Sequence, residues 1–580
     1  MTGDGERHGG SAQDASSDSA VDPVTLEVLR NACVAVAEEM NATLVRTAYS
    51  PNVTERRDCS TALFDADGEM IAQAETMPVH LGAMPFSVAA AVDAFDLGPG
   101  DSVLLNDPYR GGAHLPDLTL VTPVFADGEL VAYAANRAHH ADIGGARAGS
   151  VAADSTEIYQ EGLRIPPVKL HEGGETNEAV VDLLLANVRT PDERRGDLRA
   201  QEAANETGRE RFLDLVDRYG ADTLRAALDA IKDYSERRMR AEIAALPDGT
   251  YRFADALDDD GRGNRNLPVE VAVAVSGDSV RVDFDGTAPQ TEGPINAVFA
   301  VTASATYYAV RCVTDPDIPP NEGCYRPVDI DAPEGTIVNP TLPAAVVGGN
   351  LETSQRVTDV VLGALAGAAP ESAVAAGQGT MNNVTVGGID PRDDSPYAFY
   401  ETEGGGFGGR AGLDGMDAVH VHMSNTMNTP AEVLETAYPL RVRRYELRPD
   451  SGGAGEFRGG LGLRRDIEIR GGRATVSLLA ERHESQPYGL VGGDPGASGA
   501  AFLLSDGSNS DADAERLPAK VVRELDAGEV LSVRTPGGGG YGDPADRDES
   551  AIWRDLRLGK LTPERAREVY DLDVEQDGMD

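Results

Sequence analysis

The chain has 580 residues, 97 acids against 51 bases, a net charge of −46 and 41% hydrophobic residues. That length exceeds one ordinary core and predicts a multidomain globular protein. It lacks the basic stripes that phosphate binding needs and any apolar run near the roughly 18–20 residues of a membrane span, so neither nucleic acid nor a membrane is an expected partner.

The only lysines are Lys169, Lys232, Lys520 and Lys560, and the acids spread along the whole chain rather than gathering in a docking patch. Such a surface suits concentrated salt, where a Debye length of about 3 Å screens its self-repulsion. A salt-adapted cytoplasm of the haloarchaeal kind is the expected setting. The cysteines, Cys33, Cys59, Cys312 and Cys324, form no CxxC pair and are expected as free thiols.

In chain order, residues 1–20 are polar and acidic, with no basic and apolar signal regions, and predict a disordered tail. Asp22-Pro23 opens a helix whose inward face is Leu26, Leu29, Cys33, Val36, Met40 and Leu44, and Ser50-Pro51 stops it. A second helix is expected from Leu224 to Leu246, ended by Pro247-Asp248-Gly249. Alternation then replaces the helical period: Val269 to Val275 and Val280 to Phe284 predict a hairpin. A mixed, glycine-rich region fills about 251–435, and short alternating runs make about 436–545 mostly β. The acidic stretch near 505–515 reads as a solvated loop, and residues 546–580 as an acidic segment with one amphipathic helix (Trp553, Leu556, Leu561). The expected class is α+β, with helices concentrated in the first half and at the C-terminus.

The densest chemistry lies in residues 106–145. Leu118 to Phe125 predicts a strand, Asp127-Gly128 a tight turn, and Leu130 to Asn136 the return strand. Asp117 then lies opposite Ala138 or His139, so His114 and Asp117 meet His139 and His140 at one end of the hairpin. Imidazoles mixed with carboxylate suit Zn²⁺, Mn²⁺ or Fe²⁺ better than Mg²⁺ or Ca²⁺. Histidines capping a hairpin through backbone bonds are the plainer alternative for any one of them. A further acid could come from Asp58, beside Arg56 and Arg57, or from Asp142, which repeats the HxxD spacing from His139. An ion pair is an equal reading for Asp58.

Other segments are rich in donors and glycine. His420 and His422 lie two apart on an expected strand, followed by Ser424, Asn425, Thr426 and Asn428; with Asn382 and Asn383 they could line a substrate pocket. The loops EGGGFGGR (403–410) and TPGGGGYG (535–542) lack the lysine and spacing of a phosphate loop, and tight turns are as good a reading.

Taken in order, TLEVLRN, ERRD, NDPYRGGAHLPD, NRAHHADIGG, NVRTPDERRGDLRAQ, GGNLETSQR, GQGTMNN, ETEGGGFGGR, VHVHMSNTMNTPAEVLE and TPGGGGYGDP resemble the hydantoinase B/5-oxoprolinase family over about residues 20–545. The family includes N-methylhydantoinase B subunits, caprolactamase B subunits and the related acetone carboxylase subunits. The resemblance implies one divalent metal on Asp58, His114, Asp117 and His139, with His140 the nearest competitor for the last place. It implies an A-type partner subunit that uses ATP to phosphorylate the oxygen of a cyclic amide, while this chain supplies metal-activated water. Asp142 or His140 would then move the proton, and Asn382, Asn383, His422 and Asn425 would meet the substrate. A carboxylase subunit of the acetone carboxylase kind, or a non-catalytic structural subunit, is the alternative. Ala148 departs from the family pattern, where proline is expected, and bears on loop shape.

The charge generates a first prediction. The melting temperature rises between dilute buffer and molar KCl as acid repulsion is screened; an unchanged value refutes the reading of the surface.

Overall fold

The computed structural model describes residues 21–74, 76–505 and 514–572. The expected N-terminal tail and most of the acidic loop at 505–515 lie outside them.

The first helix, Pro23–Thr47, begins where the Asp22 side chain accepts from the backbone N–H groups of Val24 and Thr25. It buries Leu29, Cys33, Val36, Met40 and Leu44, the face its spacing predicts. The longest helix, Pro191–Tyr219, follows a different rule. Pro191 sits in its first turn beside Asp192 and Glu193, whose charges suit a helix N-terminus. Its buried stripe is mainly small and polar, Gly196, Asp197, Ala200, Gln201, Ala204, Asn205 and Gly208, with Arg194, Leu198 and Phe212 its larger members. A Cβ at Gly196 would collide with the Tyr49 ring, and one at Gly208 would press on Met40 and Ala134. Glycine at these two positions lets the long helix close on the first helix and on the sheet beneath.

That sheet has seven strands. In spatial order they are Met70–Gln73, Cys59–Asp65, Glu129–His139, Asp117–Ala126, Ser102–Leu105, Val168–Glu172 and Glu175–Thr176, all antiparallel. The central hairpin turns at Asp127-Gly128, both with positive φ (50° and 86°), the geometry of a two-residue hairpin turn. Asn136 on the return strand donates to the Gln201 carbonyl and to Asn205, and Gln201 donates back to Asn136 and to the Leu118 carbonyl. The polar stripe of the long helix therefore docks by complete hydrogen bonding where an apolar stripe would dock by area.

A second sheet of four strands contains the expected hairpin, Arg265–Ser276 with Ser279–Asp283. The helix Ser354–Leu365 is buried along its whole length and follows one π-helical turn at Gly349–Thr353. Two further sheets, of four and five strands, draw on residues 383–534 and make that stretch mostly β. The mixed α and β content agrees with the expected class. Two expectations are corrected. His420 and His422 are not on a strand; the segment is irregular, and Ala418 and His422 adopt positive φ (50° and 49°). The C-terminal segment holds two helices, Glu549–Arg557 and Pro563–Tyr570, because Gly559 (φ 67°) ends the first and Thr562 caps the second through the Arg565 N–H.

The two glycine loops pack into one slab with residues 452–460 and 489–493. Gly406 N donates to the Pro536 carbonyl (3.0 Å), Gly409 N to Gly539 (2.8 Å), Gly538 N to Gly460 (2.9 Å) and Gly460 N to Phe407 (2.7 Å). A Cβ at Gly406 would strike Gly460 and Gly538, and one at Gly538 would strike Phe407. These amides are consumed within the slab, so the loops cradle backbone and not phosphate. Gly538→Ala is expected to cost about 2–4 kcal/mol, read as a lower urea midpoint. A midpoint shift worth under about 0.5 kcal/mol, the range of an ordinary surface change, contradicts it.

Candidate metal centre

The hairpin register sets the site. Asp117 pairs with His139, and Thr119 with Arg137. Successive strand residues face opposite sides, so Asp117, Thr119, Arg137 and His139 share one face while Asn136, Ala138 and His140 face the long helix. His114 reaches the first face through the turn His114–Asp117, closed by Asp117 N donating to the His114 carbonyl (3.1 Å). One donor atom from each of His114, Asp117 and His139 lies within 4.8 Å of the others.

Two more side chains border this triad. Strand Cys59–Asp65 lies against Glu129–His139, and the Asp58 carbonyl accepts from His139 N (3.0 Å), which places Asp58 at the hairpin end. His80, on the short helix Pro78–Leu81, stands between the acids, with Nε2 3.3 Å from Asp117 Oδ1 and 3.8 Å from Asp58 Oδ1. Its Nδ1 lies 3.2 Å from Ser60 Oγ, which in turn accepts from Thr76 Oγ1 at 2.8 Å. Sequence reasoning missed His80. The available signal was a lone histidine in the apolar run MPVHLGAMP of a chain with nine histidines.

All five side chains are buried, none more than 3% exposed. Among the described residues, both nitrogens of His114, both oxygens of Asp117 and Nε2 of His139 make no hydrogen bond of good geometry, although His114 Nε2 and His80 Nε2 stand 3.2 and 3.3 Å from Asp117 Oδ1. Buried polar atoms are almost always paired, so converging unpaired donors fit a cation, and a nitrogen/oxygen set suits zinc, manganese or iron. Burial pushes the Asp117 carboxyl up, but the His114 and His80 imidazoles together outweigh it and hold the group well below the carboxylate range. Burial dominates at Asp58 and raises it despite Arg56. Burial, then His114, keeps His139 well below the usual imidazole range. The His139 ring stacks on Tyr400 (centroids 4.6 Å apart, 10° between planes), and Asn52 Nδ2 donates to the His139 carbonyl at 2.6 Å. Buried Arg56 ties the two together, donating to Asn52 Oδ1 (2.6 Å) and to the Tyr400 carbonyl (3.2 Å).

A family model described as hydantoinase B/oxoprolinase matches residues 22–544. The chain belongs to the hydantoinase B/oxoprolinase family. It is 34% identical over 574 residues to the caprolactamase subunit beta of Pseudomonas jessenii, covering 96% of this chain and 97% of that one. The crystal structure of the ATP-dependent caprolactamase from the same organism superposes with a TM-score of 0.89 at 33% identity, over 96% of this chain and 97% of its own. The 5-oxoprolinase 1 of Arabidopsis thaliana is 38% identical over 550 residues; the match takes 91% of this chain and 42% of that relative, so this chain corresponds to less than half of it.

Other residues singled out in this hydantoinase B/oxoprolinase sequence stand apart from the cluster. His140 faces the long helix, where Nε2 lies 2.9 Å from Gln201 Oε1. Asp142 accepts from the backbone of Gly144, Gly149 and Arg189 and pairs with the Arg189 guanidinium (2.8 Å), so it braces its own loop. Asn383 accepts from Tyr400 Oη (3.2 Å) and donates to Glu352 Oε1 (2.6 Å), which links it to the ring beneath His139. Burial pushes the Glu352 carboxyl up to about 8. Asn382 donates to Gln378 (2.8 Å), and His422 Nε2 lies 3.4 Å from Asp359 in a second buried polar region. Asn425 is exposed and donates to the Thr76 carbonyl (3.0 Å).

Burial brings His140 down to about 4. Its folded value lies below the unfolded value of about 6.5, so the unfolded chain takes up a proton that the fold refuses. Its contribution is complete above pH 6.5 and is lost as pH falls towards 4. His140→Gln keeps a partner for Gln201 and is expected to make the fall in melting temperature between pH 6.5 and 4 shallower; an identical slope excludes the assignment.

Proposed function

We propose that this chain is the metal-binding subunit of an ATP-dependent cyclic-amide hydrolase that opens a hydantoin, 5-oxoproline or related lactam. The observation that carries the reading is the convergence of His114, Asp117 and His139, five of whose buried ligand atoms make no hydrogen bond of good geometry among the described residues. The family relatives support it through their names, caprolactamase and 5-oxoprolinase.

In this reading Asp58, His114, Asp117 and His139 hold one divalent zinc, manganese or iron ion. Such an ion supplies Lewis-acid activation of water and of an amide carbonyl. The chain's own residues orient the donors. Tyr400 fixes the plane of the His139 ring, and Arg56 fixes Tyr400 and Asn52. Thr76 and Ser60 pass a hydrogen bond to His80 Nδ1, which holds Nε2 facing Asp117 Oδ1 at 3.3 Å. The dry surroundings strengthen each of these contacts.

An unactivated amide resists attack because nitrogen donates into its carbonyl. Phosphorylation of the amide oxygen removes that resonance, and we assign the step to an A-type partner subunit that uses the ATP, with the two chains working as a hetero-oligomer. The glycine loops support this division, since their amides are bonded within the slab. A salt-adapted cytoplasm remains part of the proposal on the strength of 97 acids against 51 bases; no helix among the described residues is long and apolar enough to cross a membrane.

His114→Ala and His139→Ala are expected to empty the site of metal and to lower ATP-dependent ring opening by about 100-fold or more in the complex with its partner. His80→Ala should cost about 10–100-fold in metal affinity or activity, as loss of an orienting group does. Full activity in both cluster variants, with only the melting temperature lowered, would overturn the catalytic reading.

A further inference from the structure

The long helix seats on the central hairpin, and between its flank and the outer strands Ser102–Leu105 and Val168–Glu172 lies a cavity of about 600 Å³. That is the size of a small-molecule site. Leu120, in its wall, pairs with Asn136 on the face that meets the long helix. The cavity is therefore on the opposite side of the sheet from Asp117 and His139.

Its polar groups can be taken one by one. Asp101 accepts from the Gly98 and Gly173 N–H groups and pairs with Lys169 at 2.9 Å. Thr122 Oγ1 accepts from Asn205 (3.0 Å), and Glu206 takes the Arg209 guanidinium (2.8 Å). Ser102 Oγ lies 2.8 Å from His171 Nδ1, where the strand register slips by one residue, as it does where a bulge re-aims a side chain. Two charged groups are left over. Glu202 makes no hydrogen bond among the described residues, and its one ion pair is a loose 3.8 Å contact with His171 Nε2. Arg199, exposed one helical turn before it, makes no hydrogen bond or ion pair among them. Burial pushes the Glu202 carboxyl up, and His171 and then Arg199 pull it down only in part.

The spacing of these two groups defines what fits. Residues three apart on a helix are neighbours, with Cβ atoms about 5–6 Å apart. A ligand whose carboxylate and ammonium sit on one carbon can meet both at once. The rest of the nearby wall is apolar, formed by Leu120, Pro123 and Phe125.

The geometry points to an apolar α-amino acid as the ligand of this cavity. Its carboxylate meets the Arg199 guanidinium, whose planar donors match a carboxylate. Its ammonium meets Glu202, and its side chain lies against Leu120, Pro123 and Phe125. His171, held through Nδ1 by Ser102, steadies the Glu202 carboxylate from the strand side. Glu202 follows Gln201, which bonds the Leu118 carbonyl and His140, so the ligand bears on the turn of helix that seats the hairpin. Neither the site nor its ligand draws on the metal centre or on the ring-opening reading.

Calorimetry on the full-length chain tests this with L-leucine, 4-methylpentanoate (leucine without the ammonium), 3-methylbutylamine (leucine without the carboxylate) and L-glutamate. L-Leucine is expected to bind about tenfold or more tighter than each of the others, the worth of one charge-assisted contact. Arg199→Gln closes the gap to the amine, Glu202→Gln closes the gap to the acid, and the melting temperature of the unaltered chain rises with leucine concentration. No binding of leucine, equal affinity for leucine and any of the other three, or gaps untouched in the folded variants overturns the inference. The readout is binding across the sheet from the metal centre, so it stands whether or not His114→Ala abolishes ring opening.

Discussion

The pairing of Asp117 with His139 decides which side chains can meet at the hairpin end. Alternation gives each face every second residue, so a slip of one position would exchange His139 for His140 and present Ala138 where Arg137 belongs. The register is held from both faces. On one, Asn136 and His140 bond the long helix; on the other, Arg137 donates to Thr119 Oγ1 across the same ladder. The candidate metal centre is therefore as precise as this ladder, and its donors need no flexible loop to bring them together.

The long helix contributes specificity more than affinity. Gln201 and Asn205 make the same kind of bonds to the sheet that water would make to it in the unfolded chain, so their net contribution is modest while their misplacement is costly. An apolar stripe could slide by a turn and lose little. A stripe of Asp197, Gln201 and Asn205 has one seating in which every donor finds its acceptor. The sheet register and the helix seating thus specify each other.

Legibility in the sequence followed the same physics. The first helix, the Val269–Phe284 hairpin and the central hairpin were readable because apolar periodicity and an Asp-Gly turn announce them. The convergence of His114 and Asp117 with His139 followed from counting along that hairpin. The long helix gave no apolar period, because its buried face is mainly small and polar with only Leu198 and Phe212 as large apolar members, and it entered only as a resembling motif. His80 was invisible for a related reason: a histidine among apolar residues looks like core until the fold brings two aspartates to it. The choice between His139 and His140 needed the pleat, which spacing alone leaves open by one residue. His420 and His422 alternated like a strand, but positive backbone angles, which periodicity does not encode, broke the pattern.

The glycine slab has a thermodynamic consequence of its own. Its layers are peptide groups packed on peptide groups, with almost no side chain between them. Exposing polar surface lowers the heat capacity of unfolding, whereas exposing apolar surface raises it. Per residue, this part of the molecule adds less curvature to the dependence of stability on temperature than the apolar cores do. Its hold on the surrounding sheets should weaken less on cooling, a property drawn from backbone bonding and not from hydrophobic area.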